Sequence, residues 1–118
     1  MLDYWGGACA VTGVAIPEVL RASHALPWAE CASDAQRLDV FNGFLLAANL
    51  DALFDRFLIS FDKEGVVIIS DLISSQDRDC LGFHKVLQLR WLTERHEIYL
   101  QLHRTRLRNA EPLRRLAE

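Results

Sequence analysis

Apolar and polar positions along this chain change spacing several times, and each change marks an element. Val19-Leu20-Arg21-Ala22-Ser23-His24 is an apolar-rich run that stops at Pro27-Trp28, which reads as a strand ending in a loop. Before it, Cys9-Ala10-Val11-Thr12-Gly13 reads as a short extended piece closing in a turn. The polar stretch from Glu30 to Asp39 is loop with room for one helical turn, and it delivers the chain to Asn42-Gly43. From Leu45 to Phe54 the period becomes helical. Leu46, Leu50, Leu53 and Phe54 fall on one stripe, and Asp51 and Asp55 stand four apart on another.

Downstream, Leu58–Phe61 and Val66–Ser70 are β-rich runs joined by Asp62-Lys63-Glu64-Gly65, the signature of a hairpin. Ser74 or Ser75 is placed to cap a short helix through Leu81, with Gly82 to end it. A last long helix is predicted from about Thr93 to Asn109, with Thr93 as N-cap and Pro112 beyond its end. Its apolar stripe takes in His96, Tyr99, Leu100, His103 and Leu107, which gives both histidines a packing role. The pattern predicts an α+β fold in a single domain over residues 1–118.

A chain of 118 residues, half of them apolar, is long enough to bury a core without disulfides. Cys9, Cys31 and Cys80 are odd in number and widely spaced, which predicts reduced thiols used for packing. Trp5, Trp28 and Trp91 are expected in the core. No apolar stretch reaches the ~18 residues of a membrane span, and the first residues lack a secretory pattern, so the expected compartment is the cytoplasm. Net charge is −3, yet it is unevenly spread. Residues 1–83 carry five basic and twelve acidic side chains, and residues 84–118 carry eight and four. A basic end beside an acidic, metal-attracting body fits an anchoring segment for nucleic acid, and equally an ordinary Arg-rich solvated helix face.

Four residues have chemical promise. Two carboxylates at helical i,i+4 spacing, Asp51 and Asp55, project side by side and offer hard oxygen ligands to one Mg²⁺. His24, at a strand end, is a suitable base near neutral pH. Asn42, before a glycine, can hold the intervening loop through side-chain to backbone hydrogen bonds. Each also has an ordinary structural role: a satisfied histidine, two solvent-facing aspartates, a turn asparagine.

Taken together, Leu20-Arg21-Ala22-Ser23-His24-Ala25-Leu26-Pro27-Trp28, then Arg37-Leu38-Asp39-Val40-Phe41-Asn42-Gly43-Phe44-Leu45-Leu46, then Leu50-Asp51-Ala52-Leu53-Phe54-Asp55 resemble the HNH endonuclease family. The likeness is to the bacterial branch with a Cys-x-x-Thr-Gly opening, here Cys9 to Gly13. It extends to Ile68-Ile69-Ser70 and Tyr99-Leu100-x-x-His103-Arg104, over roughly residues 5–105.

The resemblance implies a ββα-metal core, with an additional β-hairpin and a C-terminal helix. By it, His24 matches the general base and Asn42 the loop-ordering residue that helps orient it. Asp51 and Asp55 fall where the helix supplies metal ligands, for Mg²⁺ or alternatively Mn²⁺. DNA is the implied substrate, with Arg104, Arg106 and Arg108 of the basic end on its backbone. Two positions depart from the pattern. Ser23 stands where many relatives have Asp or His as a further ligand, and Asn49 where many have His. Both departures also suit an inactive HNH fold kept as a binding module for nucleic acid or protein.

Overall fold

The computed structural model describes the backbone of residues 1–117 and the side chains of residues 1–110. Strand β1 (Leu20–His24) pairs antiparallel with β2 (Gly43–Ala47), in a register that sets Ser23 opposite Phe44 and His24 opposite Gly43. Between them run a 3-10 turn at Trp28–Glu30, the short helix α1 (Asp34–Leu38) and a 3-10 turn at Val40–Asn42. Helix α2 (Ala48–Asp55) follows β2 without a gap and packs back on β1. The fold is α+β, with the ββα arrangement that the resemblance implied.

The sequence pattern placed the helix start three residues early. Leu45, Leu46 and Ala47 belong to β2, because β1 needs an antiparallel partner and Gly43 to Leu46 is buried throughout. A strand covered on both faces shows no period of two, and its leucines joined the helical stripe by coincidence of spacing. The Cys9–Gly13 segment is a turn rather than an extended piece. The Gly13 amide donates to the Cys9 carbonyl, and the Cys9 Sγ accepts from the Thr12 and Ala47 amides at 3.3 Å each. That turn thus ties the N-terminal segment to the start of α2.

The hairpin forms as expected from β3 (Ile59–Phe61) and β4 (Val67–Ile69). Asp62 Oδ1 closes its turn by accepting from the Glu64 and Val66 amides, and Gly65 adopts a φ of 82° that side chains resist. Helix α3 (Ser75–Cys80) is capped by Ser74, whose Oγ accepts from the Asp77 amide at 3.1 Å.

Helix α4 (Glu94–Ala117) buries the predicted stripe of His96, Tyr99, Leu100, His103 and Leu107. Thr93 precedes it, and the His96 ring accepts from the Thr93 amide at 3.0 Å, one half of a capping box with His in place of Glu. The helix does not stop before Pro112. Its backbone stays helical through the proline to Ala117.

The core gathers Trp5, Phe44, Phe54 and Phe61, with Phe44, Phe54 and Phe61 in mutual ring contact at 5.5–6.0 Å. Only Trp5 of the three tryptophans is fully buried. Trp91 stacks on it at 4.9 Å with its outer part in solvent, and Trp28 is exposed. Cys9 and Cys31 are buried, while Cys80 is exposed and packs against nothing central. No helix among the described residues is long and apolar enough to cross a membrane.

Candidate active site and its loop

The join between β1 and α2 defines the site. Ser23 is buried, and its hydroxyl donates to Asp51 Oδ1. Asp51 lies in the first turn of α2, where the helix dipole favours negative charge. Asp55 lies one turn further on and is exposed. His24, the neighbour of Ser23, is half-buried at the end of β1. Desolvation pushes its pKa below the ordinary histidine value, against the opposing pull of a hydrogen bond to the Arg37 backbone. The ring is therefore neutral at neutral pH and able to accept a proton.

Asn42 is fully buried and spans the loop that follows His24. Its Oδ1 accepts from the Leu26 amide at 2.7 Å, and its Nδ2 donates to the Leu26 carbonyl at 3.1 Å and the Gln36 carbonyl at 3.4 Å. Its own carbonyl takes the Ala25 amide at 3.0 Å. Removing the side chain would leave buried backbone groups unpaired, at about 1–3 kcal/mol each. Asn42 thus fixes the two residues directly after His24.

Arg37 adds a second set of ties. Its guanidinium donates to the Trp28 carbonyl at 3.0 Å and the Cys31 carbonyl at 3.2 Å, and it pairs with Asp34 at 2.9 Å. Asp39 holds the far end, capping the Phe41 amide and accepting from the Tyr99 hydroxyl at 2.8 Å. Neither residue stands out chemically in the sequence, although both lie in the Arg37 to Leu46 stretch that resembles the HNH family. A surface arginine whose work is to bind carbonyls leaves no periodic signature.

The three arginines of the basic end differ in placement. Arg104 lies inside the fold, donating to the Phe61 carbonyl at 2.9 Å and to Glu97 at 2.6 Å. Its guanidinium is committed to holding α4 against β3. Arg106 is half-exposed, lies 4.2 Å over the Phe57 ring and pairs with Glu30 at 2.6 Å. Arg108 is exposed.

Residues 9–62 match a family model described as HNH endonuclease. This segment is of the HNH family. No curated protein matches the chain. The HNH segment covers β1, the clamped loop, β2 and α2, and so contains His24, Asn42, Asp51 and Asp55 together with Ser23. HNH nucleases generally use a divalent metal ion.

The donor set fits such an ion in a limited way. Among the described residues no three His, Cys, Asp or Glu side chains converge as a metal cage, so His24, Asp51 and Asp55 do not form one. Two carboxylates one turn apart on α2 remain, and Mg²⁺ is often held by one or two carboxylates with water and substrate phosphate completing its shell. Ser23, read in the sequence as a departure, keeps contact with the same carboxylate through a hydrogen bond.

Proposed function

We propose that this chain is a metal-dependent endonuclease that hydrolyses DNA phosphodiester bonds, with His24 as the general base. The observation that carries the reading is that β1, β2 and α2 gather the segment matched by the HNH model into one ββα unit, in which Ser23, next to His24 in sequence, bonds Asp51 on α2. Asp51 and Asp55 are the residues to hold Mg²⁺ or Mn²⁺. When bound, such an ion neutralises phosphate charge and stabilises the leaving oxygen.

The chain's own groups supply the rest. His24, neutral and hydrogen-bonded to the Arg37 backbone, accepts a proton from water with its other ring nitrogen. The resulting hydroxide attacks phosphorus, the bond to the 3′-oxygen breaks, and that oxygen takes a proton from solvent. Asn42 keeps the loop beside the base in one shape. Arg106 and Arg108 are the basic residues available for phosphate contact, while Arg104 supports them from inside the fold.

Nicking of supercoiled plasmid tests this reading. Wild-type protein should nick with Mg²⁺ or Mn²⁺ and fall silent in EDTA. The pH profile adds a second check. Activity requires neutral His24, whose pKa is lowered, so the acidic limb of kcat/KM should fall below pH 6.5. A limb at or above that value would point to another base.

One observation favours a second reading, a silent HNH fold that only binds: among the described residues no three His, Cys, Asp or Glu side chains converge as a metal cage. DNA binding without cleavage under any divalent ion would decide for it.

A further inference from the structure

The loop after His24 presents an aromatic ring that the fold does not use. Trp28 opens the 3-10 turn Trp28–Glu30 and is 59% exposed, whereas Trp5 is buried completely. An exposed indole keeps a flat π face and a polar N–H open to a ligand.

That position is held firmly. The Arg37 guanidinium lies over the indole at 4.8 Å and also grips the Trp28 carbonyl. The Arg37 backbone is the group that hydrogen-bonds His24. Arg37 therefore borders both the exposed ring and the candidate base. At the other end of the same turn, Glu30 pairs with Arg106. Two guanidiniums thus flank the turn that carries the indole. Their partners, Asp34 and Glu30, are exposed carboxylates in surface ion pairs of small worth, which a phosphate can replace. Aromatic faces that stack bases, beside cations that follow the backbone, are the means by which proteins hold single-stranded nucleic acid.

We propose that Trp28 is a stacking contact for an unpaired DNA base near the cleavage point, with Arg37 and Arg106 on the flanking phosphates. The inference rests on the nuclease reading and narrows its substrate to DNA that is single-stranded or opened at the cut.

Binding of labelled DNA, followed by fluorescence anisotropy in EDTA so that nothing is cut, tests it. Three probes are compared: a single strand, a full duplex and a duplex with one unpaired base. Wild-type protein should prefer the first and third. Trp28→Ala should lose about 5- to 150-fold on those two, the range for one base–aromatic stack, with little change on the full duplex. Trp28→Phe should keep most of the preference, and Trp28→Leu, apolar without a π face, should behave as Trp28→Ala. The side chain is exposed, so circular dichroism should show all variants folded. Wild-type preference for the full duplex, or unchanged binding in Trp28→Ala or Trp28→Leu, overturns the inference alone. Wild-type protein that binds none of the probes overturns the nuclease reading with it.

Discussion

Replacing His24 with alanine lowers DNA cleavage by about 10²–10⁴-fold while leaving divalent-ion affinity nearly unchanged, the range that general-base assistance contributes. The ring is half-buried at the end of β1 and is held by the Arg37 backbone, so its loss removes a proton acceptor without emptying the core. Asp51→Ala and Asp55→Ala should act differently. Each removes a hard oxygen ligand, so the ion concentration for half-maximal nicking rises and extra Mg²⁺ or Mn²⁺ partly restores the rate. Asn42→Ala should fall between, because it frees the loop at Leu26 without touching the base itself. Single-turnover nicking with an ion titration on each variant separates the roles. Loss of ion binding in His24→Ala with both aspartate variants intact would reverse the assignments, and equal activity in all four would remove the site.

The difference between what the sequence predicts and what it hides is physical. The hairpin was legible because Asp62 to Gly65 combines a side-chain acceptor for two amides with a glycine at positive φ, both local chemistry. Helix α3 was legible through its serine cap, and the α4 stripe through its period. Strand β2 was hidden, because a strand buried on both faces has no alternation to read. The order His24, Asn42, Asp51, Asp55 was visible as a motif, yet its geometry was not. The Ser23–Asp51 bond joins residues 28 positions apart, and the Arg37 ties run to carbonyls, which every residue has. Trp28 and Trp91 were misplaced for a related reason. Ring size favours burial, but Trp28 sits on a short turn after Pro27, where the Arg37 guanidinium lies over it.

Acid should destabilise the fold by about 3 kcal/mol between neutral pH and pH 4 through His103 alone. This histidine is 1% exposed and lies flat against Phe54, with ring centroids 3.8 Å apart. Its Nε2–H donates to the Phe54 carbonyl at 2.7 Å, which leaves Nδ1 to accept the Ser60 hydroxyl at 2.8 Å. The bond from Ser60 needs an unprotonated Nδ1, whereas the bond to Phe54 survives protonation; together they pin α4 to the end of α2 and to β3. Burial lowers the pKa to about 4, and the charges of Arg106 and Arg104 push the same way, while the bond to Phe54 opposes them. The unfolded chain, with a histidine pKa near 6.5, binds the proton first. Stability is therefore whole above about pH 6.5 and is lost as pH falls through the window down to 4. A shift of about 2.5 units corresponds to about 3 kcal/mol, a large share of the stability of a small domain. Urea unfolding at several pH values reads the effect, and His103→Gln supplies the control. That variant should be weaker at neutral pH, because an amide cannot stack on Phe54 as the imidazole does. Its stability should also fall less across the acid window, since glutamine does not titrate. An equal acid loss in wild type and His103→Gln would assign the sensitivity to other groups, with buried His96, whose pKa desolvation also lowers, the first to test.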